Sequence, residues 1–370
     1  MNKTEQQFFA LLRSGLWGKP IDTDLFTDTV DWEIILKTAQ MQTVTGIVFD
    51  GISRLPKERQ PSVSVMRKLY QTVIRIEQSH KLSNQCLTEI VSLLQSEGIN
   101  PILLKGQGVA QNYLNPIYRQ CGDIDLYIGK ENYKKSCELA AKWDVISDDG
   151  TESNKHYQFS MNGVTIEFHR IAEQLYNPIF DKKFQNWTIY HLHGNKQRKW
   201  ILKGTEILLP PVDFDSLYIF NHLFHHFVIG GIGLRQLCDW ALYLHAFHDQ
   251  INKDELLATL KSFDLLKPWQ IFGDIIVSYL GLTKSEFPFY TQKFPTKSNK
   301  VLTKILQVGN FGFYNSNKSK RPEEFLRGKL HSLYIKQKWL SNILDIFPKE
   351  ILAFYLWYWY NGLNNIRKGQ

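Results

Sequence analysis

Gly122-Asp123-Ile124-Asp125-Leu126 sets two carboxylates one residue apart inside an apolar run that continues to Ile128. Side chains alternate across a strand, so Asp123 and Asp125 share one face while Ile124 and Leu126 take the other. Two negative charges held together repel unless a cation sits between their oxygens. Hard oxygen ligands of this kind suit Mg²⁺ or Mn²⁺. The spacing therefore predicts a divalent-metal site on a strand and commits this part of the chain to a sheet.

The remaining residues set the frame for that strand. At 370 residues, 43% hydrophobic and 22% charged, the chain has an ordinary folded composition with room for two or three domains. The opening MNKTEQQFFALLRSGLW lacks the long apolar core and cleavage site of a secretory signal, and the longest apolar block, Ile351 to Tyr360, is too short to span a bilayer. A cytoplasmic protein with no membrane span is expected. Cys86, Cys121, Cys137 and Cys238 have no CxxC spacing, which argues against a zinc knuckle or a disulfide framework.

Positive charge is concentrated at one end. Residues 291–370 hold fourteen Lys and Arg against four Asp and Glu, a net +10, so the first 290 residues carry −2 of the total of +8. Lys318, Lys320, Arg321, Arg327, Lys329, Lys336 and Lys338 fall within one short stretch beside Trp339. Such a cluster attracts nucleic acid or another anionic surface. Without a recognised nucleic-acid motif, a solvated helical face is the favoured reading.

Periodicity divides the chain into three regions: 1–98 helical, 99–210 an α/β core, and 211–370 helical again. In the first, apolar residues recur at three and four spacing, as in Leu69, Val73, Ile76 and in Leu87, Ile90, Leu93, Leu94. In the second, Ile102 to Leu104 reads as a strand, Gln107 to Tyr113 as a helix, Asp123 to Ile128 as a strand and Glu131 to Lys142 as a helix. Tyr157 to Met161 and Val164 to His169 form a hairpin about Asn162-Gly163. Thr188 to His193 and Trp200 to Leu202 read as a last strand pair around Gly194-Asn195-Lys196-Gln197. The fold class is α+β, a mixed-sheet core flanked by N-terminal and C-terminal helical regions.

Lys105-Gly106, Tyr113, Pro116, Arg119, Gly122-Asp123-Ile124-Asp125 and Ile166-Glu167-Phe168-His169 occur in an order that resembles the uncharacterised branch of the nucleotidyltransferase fold superfamily. That superfamily also holds DNA polymerase β and aminoglycoside nucleotidyltransferases. The resemblance extends to Asp31-Trp32, His222, His225, Leu234-Arg235-Gln236 and Asp239-Trp240, and so covers most of residues 1–250. The superfamily's usual Gly-Ser after the first strand is replaced here by Lys105-Gly106, with a longer gap to the aspartates. The resemblance implies a nucleotidyltransferase-like core, an NTP substrate, and an acceptor, small molecule or protein, whose identity it does not give.

Read from the residues, Glu167 shares a strand face with His169 and supplies a third acid. Two aspartates can hold a metal that bridges triphosphate oxygens, while a third acid binds a second metal or deprotonates the attacking hydroxyl. Lys105-Gly106-Gln107-Gly108 lies at a strand-to-helix junction, where backbone N–H groups favour an anion. Lys105, Gly106, Arg119 and Gly122 are thus the expected phosphate-binding residues. Replacing either aspartate by Asn is expected to relieve repulsion and leave the metal-free fold unchanged or slightly stabilised.

Other polar residues are less committed. His222, His225 and His226 can share a helix face, and a partner-satisfied cluster is favoured over a metal site. Arg235 and Asp239 have i, i+4 ion-pair spacing. His169, His222, His225, Arg235 and Asp239 are the expected surrounding shell. His191 and His193 alternate on the supposed strand without completing a site. The aromatic run from Phe354 to Tyr360 is expected to pack between helices. Two other functions compete: a glycosyltransferase using Asp123-Ile124-Asp125 as a nucleotide-sugar motif, and a non-catalytic module for an anionic partner.

Overall fold

The computed structural model describes residues 1–143, 151–153, 155–194, 196–314 and 324–367. Helices α1 (Lys3–Trp17), α2 (Trp32–Met41), α3 (Thr45–Ser53) and the 34-residue α4 (Val63–Ser96) come first. The central region runs β1 (Ile102–Leu104), α5 (Gly106–Ala110), β2 (Ile124–Tyr127), α6 (Gly129–Ala140), β3 (Thr151–Glu152), β4 (His156–Met161), β5 (Val164–His169), α7 (Pro178–Leu192), β6 (Arg198–Leu202) and β7 (Thr205–Leu209). Among the described residues seven α-helices follow: α8 (Val212–Ile229), α9 (Leu234–Phe247), α10 (Lys253–Ser262), α11 (Leu266–Ser278), α12 (Pro295–Val308), α13 (Phe325–Ser341) and α14 (Pro348–Arg367).

Among the described residues the strands form one seven-stranded mixed sheet in the order β3-β4-β5-β2-β1-β7-β6. The pairs β2–β5 and β1–β7 are parallel, and the others antiparallel. Asn162 and Gly163, with φ of 53° and 78°, make the β4–β5 turn as their sequence predicts, because both central residues of such a turn need positive φ. The period of two then sorts the sheet into two faces. Leu103, Ile124, Leu126, Ile166 and Phe168 pack against Cys86, Leu87, Ile90 and Leu94 of α4. Ile102, Leu104 and Tyr127 lie in the other core, with residues of α1, α3, α8, α9 and α11.

Several expected elements shift. Thr188 to His193 is not a strand: it ends α7. Asn177 caps that helix by accepting from the N–H groups of Ile179 and Phe180, Pro178 occupies its first turn, and Phe184, Thr188, His191 and Leu192 are buried at helical spacing. Six alternating residues were too short a window to separate the two periods. His191 therefore faces Glu255 from a helix, at 3.2 Å, and His193 bonds the Tyr127 hydroxyl at 3.0 Å. The partner of β6 is β7, reached through Lys203-Gly204 with φ of 49° and 88°. Asn195 of the earlier turn lies outside the described residues.

The basic C-terminal stretch is partly absorbed by packing. Lys336 Nζ donates to the Ile229 carbonyl and sits over the Phe354 ring, and Arg327 pairs with Glu324 at 3.1 Å. Lys318, Lys320 and Arg321 lie outside the described residues, as does the side chain of Lys329. The aromatic run packs on one side only: Phe354 is buried, whereas Trp359 and Tyr360 are exposed.

Candidate active site

β2 lies between β1 and β5, and its register places the acids. Asp125 stands opposite Glu167 on β5 and opposite Leu104 on β1, one residue before Lys105. Asp123 precedes the strand, yet its carboxylate stays on the same side. Oxygen atoms of Asp123, Asp125 and Glu167 lie within 4.8 Å of one another. Three hard carboxylates at that separation fit a divalent cation, and a second group, His156, Glu167 and His169, meets the same limit with two nitrogens.

The three acids have different surroundings. Asp125 is 2% exposed and held between two bases: Lys105 Nζ at 3.1 Å and His169 Nε2 at 2.9 Å. Burial opposes its charge, but Lys105 and His169 together hold its carboxyl well below the usual range. Glu167 is also lowered: burial and the Asp125 charge oppose ionisation, but the bond from His169, 3.1 Å from Oε2, together with the His169 and His156 charges outweighs them. Asp123 goes the other way. The Asp125 charge, then burial, raises its carboxyl, so of the three acids Asp123 is the one whose net shift shows the expected repulsion.

Lys105 continues the network away from the sheet. It has φ 50°, a conformation an L side chain rarely adopts, and the turn it makes at the end of β1 aims its ammonium at both Asp125 and His222 Nε2, the latter 3.0 Å away. His222 Nδ1 is 3.1 Å from Glu173 Oε2, and Glu173 Oε1 accepts from Lys155 at 2.7 Å. This arrangement fixes the tautomer: Nδ1–H donates to Glu173 and Nε2 accepts from Lys105. Burial and the Lys105 charge push His222 down to about 4, which keeps it neutral at pH 7. Glu173, 1% exposed, is held well below its usual value by Lys155, His225 and His222 against the cost of burial. Neither Lys155 nor Glu173 carried a spacing signal, because each lies in a connection outside the strands.

Arg119 and Arg235 do not behave as their spacing predicts. Asp239 pairs with Arg119, not with Arg235: Nε and Nη2 of Arg119 meet its two oxygens at 2.7 and 2.8 Å, and the Tyr113 hydroxyl adds a bond at 2.6 Å. Arg119 Nη1 is left buried without an acceptor. Arg235 Nη1 donates to the Gln120 carbonyl at 2.7 Å, and among the described residues no carboxylate lies within ion-pair distance of it. A Cβ on Gly122 would stand 3.7 Å from that Nη1, so Arg235 borders the Gly-Asp turn directly.

The helix expected over Gln107 to Tyr113 is the five-residue α5, too short for a sizeable dipole. Gly106, at φ 52°, keeps the turn open beside the Asp123 carbonyl, whereas a Cβ on Gly108 would meet Leu209 Cδ2 at 2.8 Å. Gly108 thus serves the packing of α5 on β7. Lys105, Gly106, Arg119, Gly122, Asp123, Asp125, His222, Arg235 and Asp239 line a cleft of about 90 Å³ that also includes Ile219, Leu223, His226, Gln236 and Phe311, whereas Glu167 and His169 stand outside its lining. It accommodates phosphate-sized groups. His225, expected beside the acids, instead bonds and stacks on Tyr176 across α8.

A mixed sheet presenting three acids on one face of two neighbouring strands, with bases around them, is the arrangement expected of the nucleotidyltransferase class. The chain belongs to the uncharacterised nucleotidyltransferase family, whose profile matches residues 28–281. Among solved structures it is similar to an antigenic nucleotidyltransferase-like protein from Paracoccidioides brasiliensis, with 13% identity and a TM-score of 0.33 over 54% of this chain and 92% of that one. No curated protein sequence gives a significant match. Nucleotidyltransferases commonly use divalent metals, and the acid cluster could hold one. Among the described residues no helix is long and apolar enough to cross a membrane.

Proposed function

We propose that the protein transfers a nucleoside monophosphate from an NTP to a hydroxyl or amine acceptor and releases pyrophosphate. The observation that carries this reading is the convergence of Asp123, Asp125 and Glu167 within 4.8 Å on one face of the sheet. Asp123 and Asp125 bind Mg²⁺ or Mn²⁺, and Glu167 completes the site or accepts the proton of the attacking group. A bound divalent ion would neutralise phosphate charge and polarise the phosphorus centre.

The protein's own residues supply the rest. Lys105, which bonds Asp125 and is held by His222, would bond the triphosphate if Asp125 held the ion. Arg235, lacking a carboxylate partner, adds a second positive charge, and Gly106 and Gly122 allow close backbone approach. The cleft is too small for a whole nucleotide, so base and sugar lie at its mouth beside Phe311, which is 39% exposed and strained at φ 50°. A nucleotide-sugar reading is weaker because β1 alone precedes β2, where that chemistry expects a longer parallel sheet.

The test is incubation with NTPs labelled at the α-phosphate and candidate acceptors, the protein itself included. Label should move to an acceptor with Mg²⁺ or Mn²⁺ present and not in excess chelator. Transfer that persists in chelator or in Asp123→Asn contradicts the proposal.

A further inference from the structure

Helix α8 separates two cavities. Ile219, His222, Leu223 and His226 line the acidic cleft, while Asn221, Phe224, His225 and Val228 line a larger cavity of about 410 Å³. Each set follows i, i+3, i+4, i+7 spacing, and the second is displaced from the first by two residues. Two residues turn a helix by about 200°, so the cavities lie on opposite sides of α8. The larger one is therefore not an extension of the acid cluster.

Its chemistry is also different. Phe180, Phe263 and Leu265 complete an apolar body, and α14 contributes Leu352 and Leu356 at the mouth. Those two leucines are 60% and 66% exposed although they border a hollow. The charged groups at the rim are already matched, since Lys349 binds Asp264 at 2.7 Å. Within the cavity, burial raises the Glu350 carboxyl and lowers the His225 imidazole, so the surroundings disfavour charge on both. One polar group lacks a partner: Asn221 is 1% exposed and its buried Nδ2 has no acceptor in the protein. A buried amide donor left unmade costs free energy that an incoming acceptor would recover.

We infer that this cavity is a binding site for a small neutral molecule, apolar along most of its length, with one oxygen toward which the Asn221 amide turns its closed-off Nδ2. Its volume lies in the range of small-molecule sites, and an apolar wall with a few placed polar groups is the usual composition of such sites. Burial of the apolar lining disfavours a charged ligand, and the rim lysine, Lys349, is already bonded to Asp264. The bound molecule would touch Tyr176 and His225, which are stacked at 4.8 Å, and through them the surroundings of Glu173. The site stands independently of nucleotidyl transfer, because neither its lining nor its ligand depends on the acids across α8.

The experiment uses Nile red, a neutral carbonyl-bearing dye whose emission rises in apolar surroundings, with no nucleotide present. Propiophenone and propylbenzene, which differ mainly by one carbonyl, serve as competitors. The full-length protein should bind one equivalent of dye saturably, and both competitors should displace it. In Asn221→Leu the ratio of their displacement constants should move about threefold to tenfold against the ketone, the worth of one hydrogen bond. Ala353→Trp, which fills the hollow from α14, should abolish saturable binding. Leu352→Gln, at the exposed mouth, should weaken it without entering the core. Unsaturable binding overturns the inference, as does binding unchanged in both α14 variants or a competitor ratio unchanged in a folded Asn221→Leu.

Discussion

Asp125 on β2 and Glu167 on β5 stand directly opposite each other in parallel register, and His169 Nε2 lies within 3.1 Å of an oxygen of each. The imidazole bridges two carboxylates that would otherwise repel. With Lys105 on its far side, Asp125 is stabilised by donors that belong to the protein itself, an ammonium and an imidazole N–H. This separates the two members of the Asp-x-Asp pair energetically.

The first prediction follows from that separation. Asp125→Asn removes the charge that compensates the buried Lys105 and His169, and breaking such a pair from one side costs about 3–5 kcal/mol. Asp123→Asn removes only the more open, repelled carboxylate, so the metal-free protein should keep or slightly raise its stability. Urea unfolding of both variants in chelator measures the difference. Equal stability of the two would remove Lys105 and His169 from this role.

The arginines should divide in a similar way. Arg119→Met strands Asp239 in the core without its bidentate partner and should lower stability by about 3–5 kcal/mol. Arg235→Met strands no carboxylate, so its main effect should be weaker NTP binding. Thermal melting and calorimetric NTP titration of each variant check this. An Arg235→Met protein that binds NTP as wild type does would take Arg235 out of the site.

What the sequence made legible depended on periodicity. The common side of Asp123 and Asp125, and of Glu167 and His169, follows from a period of two in runs where apolar residues alternate with acidic or other polar ones and a Gly or Asn-Gly marks the start, a boundary that Thr188 to His193 lacks. The β4–β5 hairpin was legible because Asn-Gly meets a backbone requirement few other pairs meet. The Lys155–Glu173–His222–Lys105 chain was not, since it joins two loops, a helix and a strand end that only the tertiary fold brings together. Arg235 and Asp239 show the same limit: i, i+4 spacing permits a pair, but Arg119 offered Asp239 a bidentate one.

Stability should depend on pH through His222. Its folded value of about 4 lies below the ordinary 6.5, so between these limits the unfolded chain binds a proton that the folded one does not. Stability from this group is complete above pH 6.5 and falls as pH drops toward 4. Its slope approaches about 1.4 kcal/mol per pH unit inside the window. Other groups titrate there too, including Asp215, which burial pushes up to about 7 with opposite sign, so the comparison is with His222→Gln. In chelator, the stability difference between wild type and variant should change with that slope from pH 6.5 to 4.5. Parallel curves would show that His222 is not held neutral.

The central claim is that Asp123, Asp125 and Glu167 form a metal-dependent nucleotide site, and calorimetric titration of ATP tests it most directly. Three titrations are compared: wild type with Mg²⁺, wild type in excess chelator, and Asp123→Asn with Mg²⁺ after its metal-free melting temperature is shown to match wild type. Saturable binding is predicted in the first, with affinity at least tenfold weaker in the other two. Equal ATP affinity in all three would contradict the account.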